Sequence, residues 1–201
     1  IGKIVYLELL KNRMTFNELK YHLPTFLLFF GLASFYWRKM RIKNALLRLE
    51  GNTEFLKSIS KVNKWFNGLF VLVCAIVVFY SFFNGAYNFL MLPIEALDKA
   101  PVNNFGVTIL NVSLIWVIVT QMNLDLMLFR ITSGKIDRET LRKIIVYSEK
   151  SILLGFLIML IGIFVTISSV ISLVATVAGI AVYYFIFIRK VNDNTPHTLM
   201  F

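Results

Sequence analysis

Apolar and polar positions fall along this chain in long blocks. The longest apolar block, Ser151 to Ile188, runs for 38 residues without Asp, Glu, Lys, Arg or His. As a single α-helix it would be about 57 Å long at about 1.5 Å per residue, nearly twice the roughly 30 Å hydrocarbon core of a bilayer. Two spans joined by a very tight turn fit instead, and Ser168, Ser169 and Ser172 supply the turn-forming residues between Thr166 and Leu173. Leu23 to Trp37 has only 15 apolar-dominated residues and carries Pro24 and Gly31. That length suits a short span and a re-entrant or interfacial segment almost equally. Trp65 to Leu92 is a 28-residue run without charges, with Ser81, Asn84 and Asn88 placing its apolar centre at 66–83. Phe105 to Leu124 is the remaining block.

These blocks predict an all-α, polytopic helical bundle in one membrane domain over residues 1–201. Its five segments lie near 23–37, 65–92, 105–124, 151–168 and 172–188, arranged as two helical hairpins after a short N-terminal segment. The polar stretches between them read as short amphipathic cytoplasmic helices. Thr15 and Glu18 form a capping-box pattern with Met14 and Leu19 as a staple, which predicts a short helix running toward Pro24. Arg38 to Lys64 reads as two helices separated by Gly51 and Asn52. In the second, Phe55, Ile59, Val62 and Phe66 share one face and Lys57, Lys61 and Lys64 occupy another. That pattern fits a helix lying on an anionic leaflet with its lysines at the headgroups, or the same stripe packed on the protein. Asp137 can cap a further helix, with Leu141, Ile144 and Ile145 as its stripe, feeding into the span near Ser151.

Composition agrees: 58% hydrophobic residues, 19 Phe and a mean hydropathy of +0.73 lie outside the range of a soluble domain. A net charge of +10 would point to nucleic acid in a soluble protein. Here eight Lys and Arg lie in Arg38–Lys64, six in Arg130–Lys150 and only one in Pro93–Asn104. Bases clustered beside apolar runs are the positive-inside signature, so no nucleic-acid partner is expected. Both basic loops are then cytoplasmic and the 93–104 connection external. If Leu23–Trp37 spans, the N-terminus lies outside as well. The Lys, Ile, Asn and Phe bias fits an AT-rich genome, and with it a bacterial cytoplasmic membrane or an organelle inner membrane. Cys74 is the only cysteine, so no intramolecular disulfide is expected.

Chemistry-bearing patterns are sparse. His22 and His197 are the only histidines, and HExxH, GxxxxGK[ST], GxSxG and paired intramembrane carboxylates are all missing from the sequence. No enzyme activity, metal or cofactor is expected. On a helical wheel Asn104, Thr108, Asn111, Met122 and Asp125 fall on one side of the third block, a stripe that serves interhelical hydrogen bonding or lines a solute path. Gly155 and Gly162, then Ala175 and Gly179, mark packing faces for the last hairpin or for self-association. The expected partners are the bilayer and other membrane subunits or further copies of the chain. The expected role is a non-enzymatic subunit or accessory of a larger membrane complex. A membrane immunity or defence protein against a pore-forming toxin or phage is the alternative, with a small transporter or channel around Asn111 after it.

Overall fold

The computed structural model describes residues 16–37, 53–97, 99–132 and 138–185, and among them it is all-α. Helix α1 (Phe16–Gly31) runs on as a π-helical segment, Leu32–Trp37. It is followed by α2 (Thr53–Phe82), α3 (Asn84–Leu90), α4 (Ala100–Thr132), α5 (Arg138–Ile167) and α6 (Val170–Tyr183). Three stretches are long and apolar enough to cross a membrane: Lys64–Phe82 of α2, Ala100–Met127 of α4 and Glu139–Ile167 of α5. The apolar part of α6 is shorter.

Side-chain pairs give the direction of each helix. Gly106 lies against Thr166, Leu110 against Gly162, Val117 against Gly155 and Thr120 against Ser151, so α4 and α5 are antiparallel. The Thr176 hydroxyl donates to the Leu160 carbonyl at 3.0 Å, and Gly179 also meets Leu160, so α6 folds back along α5. Phe66 packs edge-on against Phe156 with ring centroids 5.1 Å apart, while Tyr87 beyond the end of α2 donates to the Ile167 carbonyl. Helix α2 therefore runs with α5. Phe30 meets Phe156 at 6.3 Å, and Ala33 lies beside Gln121, next to the Thr120–Ser151 pair, so α1 runs opposite to α5. Down, up, down, up, down is the order of α1, α2, α4, α5 and α6. The central helix is α5, with Ile145, Ile152, Leu153, Phe156, Met159, Leu160 and Ile163 all buried.

Several boundaries differ from the sequence reading. Helix α1 does not stop at Pro24 but carries it internally. Lost helical hydrogen bonds are tolerated where hydroxyls and neighbouring helices compensate, and Thr25 donates to the Tyr21 carbonyl at 2.9 Å beside the proline. The 65–92 segment is not one helix: Phe83, at φ −126° and ψ 65°, breaks it into α2 and α3. The third segment is longer than 105–124 at both ends, because Pro101 fits a first turn whose N–H groups have no intrahelical partner. The helix before Ser151 does feed directly into that span, as α5, whereas the last segment begins at Val170 instead of Ser172. The Thr15 cap, residues 38–52 with the Gly51 break, and the Asp137 cap lie outside the described residues.

The α5–α6 turn is made by two residues, Ser168 and Ser169, and every part of it is tied down. Ser168 adopts φ 51°, a left-handed conformation costing a non-glycine residue about 1–2 kcal/mol. Leu92, at φ 50°, does the same opposite it. Between these two corners Pro93 and Ser169 pair antiparallel, the Ile94 N–H donating to the Ser168 carbonyl at 2.7 Å and the Val170 N–H to the Leu92 carbonyl at 3.1 Å. Ser169 then caps α6, accepting from the Ser172 N–H at 3.2 Å while its own N–H donates to Ser172 Oγ at 3.2 Å. Because buried non-helical backbone is tolerated only with its polar groups satisfied, and Ser168 and Ser169 are both fully buried, these bonds are what permits so short a turn.

Candidate functional site

Helix α4 carries the only stripe of polar side chains proposed from the sequence, and the structure shows that it has two seams of the same period. The first comprises Gly106, Leu110, Ser113, Val117, Thr120 and Leu124, spaced alternately by four and three residues, and all of it is buried against the bundle. Such spacing keeps one face of a helix on a partner for many turns. Here the partner is α5, and the glycines set how close it comes. A Cβ added at Gly106 would lie 2.5 Å from the backbone N of Thr166 and 2.8 Å from its Cα. Added at Gly155 it would lie 2.7 Å from Val117 Cγ2, and at Gly162 2.7 Å from Leu110 Cδ2. Hydroxyls on this seam are spent locally. Ser113 donates to the Leu110 carbonyl at 2.6 Å, and Thr120 sits 2.8 Å from the Trp116 carbonyl and 2.9 Å from Ser151 Oγ. The Trp116 indole N–H reaches the Ser151 carbonyl at 3.0 Å.

The second seam is Asn104, Thr108, Asn111, Ile115, Ile118, Met122 and Asp125, again alternating four and three; most of it turns away from the bundle, but Ile118 packs against the core and Asp125 has a partner within the protein. Thr108, Asn111, Ile115 and Met122 are exposed, while Asn104, Ile118 and Asp125 are half-buried. The four polar residues singled out from the sequence thus share one face. Thr108 donates to the Asn104 carbonyl of its own helix at 3.1 Å. Asn111 makes no hydrogen bond to the described residues. It lies about 17 Å along the axis from Ala100 and about 24 Å from Met127, the two ends of the apolar stretch. An amide is therefore presented outward near the middle of a helix of membrane-crossing length.

The small residues divide between two interfaces. Gly155 and Gly162, expected to serve the last hairpin or self-association, face α4 instead, whereas Gly179 sits against Leu160 and Leu157 and Ala175 is buried in the α5–α6 hairpin. Gly106, which makes the closest approach to a neighbouring backbone, has no small-xxx-small partner in sequence and was not singled out from it. Lys64 is exposed at the start of the apolar part of α2; Lys57 and Lys61 lie on the same helix, their side chains outside those described.

Sequence reasoning also missed a polar layer at the end of the bundle opposite the Ser168 turn. Gln121 is fully buried, its Nε2 3.5 Å from the Ala33 carbonyl, and Ser34 beside Ala33 and Ser148 one turn from Ser151 are buried as well. Glu149 is only 4% exposed. Nothing in the pattern separates these residues from the outward ones, because both seams of α4 mix polar and apolar positions. Among the described residues, no three His, Cys, Asp or Glu come together in a way that could hold a metal ion. Compared with protein-family models, curated proteins and solved structures, the chain matches none.

Proposed function

We infer that this chain is a non-enzymatic, five-segment multi-pass membrane protein that works by helix packing and by its basic loops, as a subunit or accessory of a larger membrane complex. The observation carrying this reading is the outward seam of α4. Hydrocarbon offers no hydrogen-bonding partner, so a carboxamide presented to it at mid-helix is costly unless another helix covers it. The alternating directions of α1, α2, α4, α5 and α6 support five segments. Lys64, Lys143 and Lys150 lie toward one end of the bundle, while Glu95 and Lys99 lie with the Ser168 turn at the other. The first end is then cytoplasmic and the second external. A bacterial cytoplasmic membrane is the setting that fits the composition.

Purification of the tagged full chain in mild detergent, followed by mass spectrometry, tests the reading. Defined membrane-protein partners at reproducible stoichiometry are expected. Solute flux into vesicles holding this chain alone would replace it with a transporter. Protease access or reporter fusions after Lys61 are expected to report the cytoplasmic side.

A further inference from the structure

We propose that the outward seam of α4 pairs with the same seam of a second copy of this chain, with Asn111 bonded to Asn111 across a two-fold axis. The inference rests on the reading of α4 as a membrane-crossing helix that acts through packing. Thr108, Asn111, Ile115 and Met122, the exposed members of that seam, keep a heptad spacing over about 21 Å of helix, most of the hydrocarbon thickness, while Asp125 beyond them is half-buried and has a partner within the protein. That is the period by which the opposite face of the same helix already holds α5, so these exposed positions have the spacing of a helix seam, and no helix among the described residues covers them.

Hydrogen-bond complementarity identifies the occupant. Two copies inserted with the same topology meet about an axis along the membrane normal, so a residue near that axis faces itself at equal depth. Only a group that both donates and accepts is satisfied by its own copy there. The Asn111 carboxamide does both, its NH2 donating to the partner's Oδ1 while its own Oδ1 accepts in return. Ile115 and Met122 flank it with apolar, exposed side chains, and Thr108 spends its hydroxyl on the Asn104 carbonyl and so asks nothing of the partner. A single Asn in such a seam is also a known means of fixing register.

Cysteines placed singly in a Cys74→Ala background test this in native membranes under copper–phenanthroline oxidation. Thr108→Cys and Ile115→Cys are expected to yield a disulfide-linked species of twice 23.2 kDa, and Leu110→Cys and Val117→Cys on the inner seam are not. Adding Asn111→Leu should weaken association in detergent roughly tenfold, and Asn111→Gln should restore part of it. Monomer at both outer positions, in protein shown to be inserted, overturns the inference, as does linkage of the seam to a different protein. That second outcome leaves the larger-complex reading standing. A linked homodimer with no other protein in the pull-down supports the seam pairing and overturns the larger complex.

Discussion

Inner and outer seams of α4 share a helix, a period and a mixture of polar and apolar residues, yet one is fully buried and the other is exposed at Thr108, Asn111, Ile115 and Met122. Hydroxyls distinguish them only in part: Ser113 on the inner seam and Thr108 on the outer each donate to a carbonyl of their own helix, and among the described residues only Thr120, on the inner seam, also pairs with a hydroxyl of α5, that of Ser151. What differs is the depth to which a neighbouring backbone can approach. Gly106 against Thr166, with Gly155 and Gly162 of α5 against Val117 and Leu110, brings two helices into contact that added methyl groups would prevent, and the outer seam offers Thr108, Asn111, Ile115 and Met122 with no such recess. Lipid tails are as apolar as leucine, so polarity alone does not sort a membrane helix into inside and outside; close packing does.

The sharpest way to break this contrast is Gly106→Leu. The backbone of Thr166 cannot rotate away as a side chain can, so the helices must separate, at a cost of about 3 kcal/mol or more. Thermal unfolding in detergent should show the largest fall in midpoint of any change described here. Gly68, with nothing within 4 Å of an added Cβ, is the control, and Gly68→Ala should leave the midpoint unchanged or raise it. A tolerated Gly106→Leu would mean that α4 and α5 are not in contact at this point.

Next comes the pair Leu110→Ala and Ile115→Ala. Leu110 is 0% exposed and fills the recess over Gly162, whereas Ile115 is 60% exposed. Truncation in the inner seam leaves a cavity and should cost about 2 kcal/mol, the lower part of the usual range because lipid replaces water as the reference. Truncation in the outer seam should cost a single copy less than about 0.5 kcal/mol. Equal losses in monomeric protein would erase the distinction between the faces.

How much of this was legible beforehand follows from the same physics. The 38-residue block without ionisable residues was bound to fold back, since bilayer thickness limits a span, and the break at Ser168 and Ser169 lies within the stretch where serines cluster. The polar stripe from Asn104 to Asp125 was legible as one face because helical geometry places those residues together whatever surrounds them. Which way the face looks was not, because a helix in lipid need not bury its apolar side. Nor was the pairing of Leu92–Ile94 with Ser168–Val170: it joins segments far apart in the chain, and its two left-handed corners are a leucine and a serine in place of the glycines that usually mark them.

Gln121→Leu tests the polar layer beside the inner seam, with the opposite sign. Burial removes Gln121 from any solvent, its Oε1 has no partner among the described residues, and its Nε2 bond to the Ala33 carbonyl is long at 3.5 Å. Replacing a poorly satisfied amide by an apolar group of similar shape removes the desolvation penalty along with a weak bond. The unfolding midpoint should hold or rise by the equivalent of up to about 1 kcal/mol. A loss of about 2 kcal/mol would show instead that the polar layer around Ser34 and Ser148 is bonded as a network.

Thr108→Val should have the smallest effect. Its hydroxyl is exposed on the outer seam but donates to the Asn104 carbonyl at 3.1 Å, a carbonyl that also belongs to the helical ladder. Valine keeps the shape and branching and gives up only that second bond, so helix geometry survives and no buried group is left unpaired. In monomeric protein the midpoint should move by less than about 0.5 kcal/mol, and association through the seam should hold as well, because this hydroxyl is already engaged within its own helix. If Thr108→Val instead lowers association as strongly as Asn111→Leu does, the hydroxyl turns outward to the partner when two copies meet. The seam would then be held by two polar contacts rather than by Asn111 alone.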